Sequence, residues 1–179
     1  MSVANVRHAI TTKTLASRAI GRQPGFTLLE VLIALLVLSI GLLGLAGLQA
    51  KGLSYNQSAY LRSVATAQAY NMADRIRANP AGSSTGDYDN VSGLPSSHTD
   101  CTKNVCSPAQ MAAFDLYQWN TDNKNALPSG QGRVTVQNSN PRVLTVTVMW
   151  DDQRTGATGT GCSGNPKVDL TCFSTSFRP

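Results

Sequence analysis

One long apolar run dominates the first third of this sequence. Residues Val31 to Leu48 include no charged side chain, and Ser39 is the only polar one if the glycines are counted as apolar. A run of about 20 apolar residues is what a helix needs to cross the hydrocarbon core of a bilayer. Its leucines would cover every face, so the helix has no polar side to present to water. This run predicts a membrane-spanning helix rather than the core helix of a globular protein.

Positive charge is concentrated just before this run. Arg7, Lys13, Arg18 and Arg22 precede residue 26, and no acidic residue lies among them. Removing these four charges from the net charge of +5 leaves +1, so the rest of the chain has no basic excess to attract nucleic acid. The positive-inside tendency predicts a cytoplasmic N-terminus and an external C-terminal part. A secretory signal peptide, the competing interpretation, would have a shorter apolar region followed by its cleavage site.

The residues that lead into the run form a specific processing motif, QPGFTLLE at positions 23–30. The stretch from Gly25 to about Gln49 resembles the class III signal of type IV prepilins and type II secretion pseudopilins. The resemblance implies that a prepilin peptidase cleaves between Gly25 and Phe26, removes a leader of residues 1–25 and methylates the new N-terminus at Phe26. The physical properties of Gly25 and Pro24 agree with cleavage at this position. Glycine lets a protease approach the backbone closely, and Pro24 disfavours helix before the cut, so the helix is expected to begin at or just after it.

Glu30 is the only glutamate in the sequence, and it lies at the start of the apolar helix. An ionised carboxylate in such a segment costs about 2.5–3.5 kcal/mol or more, so it normally has a partner and a function. The partner could be the ammonium of Phe26 in the same chain, one helical turn away. The family resemblance implies instead a role in subunit assembly, through the N-terminus of a neighbouring subunit. A third interpretation is a solvated carboxylate at the cytoplasmic interface that helps the helix to start.

The helix is expected to continue well beyond the membrane. No proline occurs between Phe26 and Asn79, and Asn79-Pro80 with basic residues before it is a credible stop. The sequence thus predicts a membrane-spanning or filament-core helix over 26–52 and an amphipathic continuation over 53–79. The continuation has an apolar stripe at three- and four-residue steps with one longer gap. The stripe consists of Leu53, Tyr60, Leu61, Val64, Gln68, Met72 and Ile76.

Residues 80–179 are expected to form a small head outside the cytoplasm. Glycine, serine and asparagine indicate loops at 81–100 and 121–132, and a short helix fits Pro108 to Trp119. Alternating β-branched residues predict strands at 133–136 and 143–150, joined as a hairpin through 138–141, and a third strand at 168–177. The expected fold class is α+β and type IV pilin-like, with a long N-terminal helix packed on a small antiparallel sheet.

Four cysteines occur in the head, as two pairs that are close in sequence: Cys101 with Cys106, and Cys162 with Cys172. Disulfides are expected outside the cytoplasm, and of the three possible connectivities we choose local pairing. The alternative is a metal site made of His98, Cys101 and Cys106, but it lacks a C-x-x-C pair and a clear fourth ligand. We therefore expect two disulfides and no metal.

Enzyme chemistry has little support in this sequence. His98 and Asp100 share a loop, but no motif for nucleophilic, nucleotide-dependent or zinc-dependent catalysis is present. Asp151-Asp152 could bind a cation, although adjacent carboxylates at a strand end are more often solvated. DNA binding would need clustered basic and aromatic residues. We expect no enzyme activity, no cofactor, no small-molecule substrate and no nucleic-acid partner.

The tract LRSVATAQAYNMADRIRANP, residues 61–80, resembles minor pilins of the PilV type more than major pilins. This implies a subunit that is incorporated into a type IV pilus or primes its assembly. Its partners would be the prepilin peptidase, other minor and major pilins, and inner-membrane lipid before assembly. The alternatives are a type II secretion pseudopilin and an adhesin or DNA-binding module at the fibre tip. The expected location is the bacterial inner membrane, with a periplasmic head, and then the fibre.

Overall fold

The computed structural model describes residues 25–179. Apart from Gly25, the expected leader lies outside the described residues. The chain divides into two compact units, residues up to Ala46 and residues from Gly47 to Pro179. The helices are α1 (Leu28–Ala78), α2 (Pro80–Thr85) and α3 (Pro108–Ala126), and the strands are β1 (Val91–Ser92), β2 (Gln131–Ser139), β3 (Arg142–Trp150) and β4 (Thr171–Phe177).

The predicted long helix is confirmed. It runs for 51 residues, from Leu28 to Ala78, which corresponds to about 76 Å at 1.5 Å per residue. The prediction placed its ends at residues 26 and 79, within two residues of those observed. Arg75 and Arg77 lie in its last turn, where positive charge interacts favourably with the negative end of the helix dipole.

The four strands form one antiparallel sheet in the order β1-β2-β3-β4. The predicted hairpin is β2–β3, in which Val134 faces Val146. Both β2 and β3 are longer than predicted. The third predicted strand begins at Thr171 instead of residue 168, since Val168 lies in the preceding loop and is 58% exposed. With the long helix, this sheet confirms the α+β, type IV pilin-like fold.

A single cluster of buried residues joins α1, α3 and the sheet. Trp119 on α3 is fully buried, and its indole N–H donates to the backbone carbonyl of Gln68 on α1 at 2.8 Å. A Cβ at Gly132 on β2 would lie 2.2 Å from the Trp119 ring. Glycine at this position therefore lets the sheet approach the indole closely.

The predicted apolar stripe of α1 was wrong at two positions. Leu53 and Tyr60 are 71% and 62% exposed, whereas the helix face in the core also contains alanines that the stripe omitted. The buried residues of α1 are Leu61, Ala65, Ala69, Met72, Ala73 and Ile76. Small side chains at four-residue spacing allow the rest of the head to pack close to the helix backbone.

The predicted loop at 81–100 was also wrong in part, because it contains α2 and β1. Asn79 ends α1 as expected, but its side-chain oxygen also accepts a hydrogen bond from the N–H of Gly82 at 3.1 Å, and Pro80 occupies the first turn of α2. Asparagine and proline are favoured at these helix-starting positions. The pair that stops one helix therefore starts another.

The helix predicted to end at Trp119 continues to Ala126, so the predicted loop at 121–132 shrinks to residues 127–130. Asn123 in this segment is buried, as is Asn120 just before it, whereas Asp122, Lys124 and Asn125 are exposed. Asn120 donates to the carbonyl of Gly93 at 2.8 Å and accepts from the N–H of Gly132 at 2.7 Å. Buried amides that satisfy backbone groups in this way let a polar segment remain helical inside the head.

Candidate functional site

The predicted cleavage junction lies in exposed, non-helical backbone. Gly25, Phe26 and Thr27 all precede α1, and the Phe26 side chain is 83% exposed. A Cβ placed at Gly25 would meet no atom within 4 Å. Within residues 25–179, no atom therefore obstructs an enzyme that binds the backbone at this junction.

Thr27 caps the first turn of α1. Its hydroxyl oxygen accepts a hydrogen bond from the backbone N–H of Glu30 at 3.2 Å, and its carbonyl accepts from the N–H of Val31 at the same distance. Threonine followed by glutamate three residues later is the sequence pattern of a capping box. Sequence reasoning missed Thr27, although this pattern could have revealed it.

Glu30 therefore lies in the first turn of α1, as expected, and is exposed. An acidic side chain there is stabilised by the positive end of the helix dipole, which agrees with the helix-starting interpretation. Leu28, Leu29 and Val31 around it are exposed as well. The carboxylate is thus a single charge on an otherwise apolar, uncovered segment.

Every residue from Gly25 to Ala46 is exposed. By length and composition, α1 could cross a membrane. An apolar surface of this extent is not stable in water and must be covered by lipid or by protein. Lipid or other protein chains must therefore cover the apolar surface from Leu28 to Ala46.

A polar network inside the head connects the end of α1 to α3. Asp115 accepts hydrogen bonds from the Tyr88 hydroxyl at 2.7 Å and from the Arg75 guanidinium at 3.2 Å. Tyr88 is fully buried and also accepts from the side chain of Asn79 at 3.0 Å. Burial, together with the bond to Asp115, raises the pKa of Tyr88 well above its ordinary value of 10.0.

The structure joins Cys101 to Cys106 and Cys162 to Cys172, which is the local pairing chosen from the sequence. The first disulfide uses both thiols of the alternative metal site, so that site is not available. Among the described residues, no group of three or more His, Cys, Asp or Glu side chains could hold a metal ion.

A carboxylate organises the backbone next to each disulfide. The hydroxyl and N–H of Thr102 hold the pKa of Asp100 below its ordinary value, and hydrogen bonds from Ser163 do the same for Asp169. Asp169 also accepts from the N–H of Gly161 at 3.2 Å. Both carboxylates therefore stabilise their own loops.

The remaining candidates for chemistry are committed to packing and loop structure. His98 stacks on Tyr117 with ring centroids 3.6 Å apart. Asp151 is buried and accepts from the N–H groups of Thr155 and Gly156 at 3.0 and 2.8 Å.

Asp152, the other half of the predicted acidic pair, accepts hydrogen bonds from Ser58 at 2.7 Å and from the Trp150 indole at 2.9 Å. Its two oxygens therefore each have a donor within the head. Neither aspartate presents a free carboxylate of the kind that a solvated pair would offer to a cation.

Comparison with protein families gave two matches that adjoin each other. The prokaryotic N-terminal methylation motif matches residues 20–46, a range that contains Gly25, Phe26 and Glu30. The family of the type IV pilin Tt1218 matches residues 47–117. No curated protein and no solved structure gave a significant match. The two family matches together span more than half of the chain, and the fold agrees with them: the chain belongs to the type IV prepilin family.

Proposed function

We propose that the chain is a PilV-like minor pilin that is incorporated into a type IV pilus or primes its assembly. The observation that carries the proposal is the exposed segment Gly25–Ala46. It combines the matched methylation motif, an accessible Gly25–Phe26 junction and an uncovered apolar helix. Such a segment suits a subunit that is held first in lipid and then among neighbouring helices.

Processing is the first step of this function. A prepilin peptidase cleaves after Gly25 and methylates the new N-terminus of Phe26. The non-helical backbone before Leu28 supports this step, because the junction can enter an active site without unwinding α1. The methylation motif spans both sides of the junction.

Assembly is the second step, and Glu30 is its main electrostatic determinant. The carboxylate lies in an apolar surrounding in which charges are poorly screened, so it attracts the N-terminal ammonium of a neighbouring subunit. Pairing also offsets the cost of holding the charge among leucines. The pair would favour one axial position of each helix relative to the next.

The proposed location follows from charge and cysteine chemistry. Four basic residues before Gly25 favour a cytoplasmic N-terminus, with the head in the periplasm of a bacterial inner membrane. Both disulfides of the head suit an oxidising compartment. After assembly the subunit belongs to the fibre.

Two measurements on protein from a peptidase-competent host test the proposal. Mass spectrometry of the N-terminus is expected to find methylated Phe26. Partner pilins should be recovered with the wild-type subunit when it is purified from crosslinked membranes. At matched membrane abundance, fewer should be recovered with Glu30→Ala and Glu30→Gln. The glutamine variant keeps the size of the side chain and removes the charge.

An intact N-terminus, or cleavage after Leu48, would contradict the processing step. Equal recovery of partners with all three proteins would remove Glu30 from assembly. Recovery of secretion-system subunits instead of pilus subunits would assign the chain to a pseudopilus.

A further inference from the structure

A depression of about 600 Å³ lies on the head where its core first meets α1. Leu61, the first buried residue of α1, lines it together with Tyr60. Other lining residues come from the last turn of α3 and from the loop that follows β3. We call it the α1–α3 depression. The lining residues used in the argument are Gln57, Tyr60, Leu61, Lys124, Asp151 and Arg154.

Two cations of the α1–α3 depression have no acidic partner. Lys124 and Arg154 are both exposed, and neither forms an ion pair in the described part of the chain. The only carboxylate among the lining residues is Asp151, which is buried and accepts from two backbone N–H groups of its own loop. Asp122 and Asp152 do not line the depression. The charge that it exposes to a ligand is therefore positive.

The position of the depression along α1 is close to the end of the apolar run. Leu48 ends that run and belongs to the same compact unit as the head. Gln57 follows Leu48 by nine residues of continuous helix, which is a rise of about 14 Å. The headgroup layer of a bilayer extends about 5–8 Å beyond the hydrocarbon core. Lysine and arginine carry their charges on long stems that span the remaining distance to the headgroups.

The stretch of α1 between the apolar run and the depression has side chains suited to a lipid surface. Leu53, Tyr55 and Tyr60 are 71%, 67% and 62% exposed. The ammonium of Lys51 lies 5.9 Å from the centre of the Tyr55 ring. Tyrosine is enriched at the boundary between membrane and water, because its ring is apolar and its hydroxyl is polar. This stretch therefore favours a headgroup layer next to the depression.

We propose that the α1–α3 depression binds the headgroup phosphate of an anionic phospholipid in the membrane that α1 spans. Lys124 and Arg154 supply the positive charge, and Tyr60 lies beside the lipid. The contact holds the head at the lipid surface before assembly and is lost when the subunit leaves the bilayer. The proposal rests on the membrane location proposed above and adds to it a contact made by the head.

An anionic lipid fits the depression better than a soluble polyanion does. Binding to a nucleic-acid backbone neutralises several phosphates with separate cations, and the depression offers two. One basic residue near an anionic membrane surface contributes about five-fold in affinity. Two such residues are enough when α1 already holds the protein in the bilayer, because the second contact then forms at high effective concentration.

The direct test titrates the purified full chain, in micelles of a non-ionic detergent, with three probes followed by NMR of the backbone amides. The probes are a short-chain phosphatidylglycerol, a phosphatidylcholine with the same chains, and glycerol phosphate. Phosphatidylglycerol is expected to shift the signals of residues 124–129 and 154–156 at concentrations at which the other two probes do not. An equal response to phosphatidylcholine would overturn the role of charge. An equal response to glycerol phosphate would overturn the choice of a lipid.

Three variants connect the response to the depression. Lys124→Gln and Arg154→Gln should each weaken phosphatidylglycerol binding about five-fold. Both side chains are exposed, so the urea midpoint of the head should stay unchanged. Arg178→Gln is the matched control, since it removes an exposed arginine that does not line the depression. Equal losses in all three variants, or no loss in the first two, would overturn the proposal.

A second measurement separates a lipid from a protein partner. In a Lys124→Gln/Arg154→Gln double variant, recovery of partner pilins from crosslinked membranes should be unchanged at matched membrane abundance. Loss of partner pilins, with phosphatidylglycerol binding unaffected in the single variants, would assign this surface to a neighbouring subunit and overturn the proposal. If the wild type yields neither partner pilins nor methylated Phe26, the proposed function fails. The titration needs only α1 in a micelle, so its result still upholds or overturns lipid binding.

Discussion

The buried carboxylate of Asp115 is expected to determine much of the stability of the head. In Asp115→Ala the Tyr88 hydroxyl loses its acceptor while the ring stays fully buried, which costs about 1–3 kcal/mol. Arg75 loses less, about 0–1 kcal/mol, because its side chain is 24% exposed and keeps hydrogen bonds to Gln118 and Asn71 at 2.8 Å. The free energy of unfolding should therefore fall by about 1–4 kcal/mol.

A double-mutant cycle isolates the Tyr88–Asp115 bond within this loss. Tyr88→Phe removes the hydroxyl and should cost about 1 kcal/mol. Because the phenylalanine leaves no hydroxyl to be orphaned, the double variant should be more stable than the sum of the single losses predicts, by about 1 kcal/mol.

Urea unfolding of the full chain in mild detergent, followed by tryptophan fluorescence, measures these losses. Trp119 and Trp150 are both buried in the head and are the only tryptophans in the chain, so the signal reports this unit. A loss below about 0.5 kcal/mol for Asp115→Ala, or strict additivity in the cycle, would refute the reasoning.

Two further predictions concern the same unit. The pKa of Tyr88 in the folded head lies above its ordinary value of 10.0. The stabilisation linked to its proton is therefore complete below about pH 10 and is lost as the pH rises further. Urea midpoints should fall more steeply above pH 10 for the wild type than for Tyr88→Phe, and parallel profiles would contradict this. Gly132→Ala places a Cβ 2.2 Å from the Trp119 ring, so it should cost about 1–3 kcal/mol by overpacking; a midpoint equal to that of the wild type would mean that the indole moves aside freely.

The sequence was most informative where one physical constraint acts alone. The apolar run and the absence of proline between Phe26 and Asn79 were enough to predict α1 to within two residues at each end. The hairpin followed from alternating β-branched residues, because that pattern matches the two faces of a sheet. Glu30 was singled out because a single carboxylate beside such a run is costly, and its role in assembly stays a prediction.

The sequence was least informative where tertiary contacts decide the outcome. Asn123 lies in the segment predicted as a loop, yet it is buried in α3, and the neighbouring Asn120 is also buried and bonds to backbone groups of two other segments. Ala65 and Ala69 were overlooked in favour of the larger Leu53 and Tyr60, since apolar size does not reveal which face of a helix meets the head. Such choices depend on neighbours that are distant along the chain.

The cap that Thr27 forms on Glu30 has a consequence for the timing of assembly. The first turn of α1 is already closed in the uncut chain, so cleavage at Gly25 would leave the shape of the helix unchanged. What it would change is charge, because a neutral peptide bond is replaced by a cation two residues before Leu28, near the positive end of the helix dipole. The dipole disfavours a cation there, so the new terminus gains by pairing with a carboxylate, either Glu30 of its own chain or an acidic group on another chain. Processing would then add the charge with which a subunit pairs with its neighbours, without any refolding of α1.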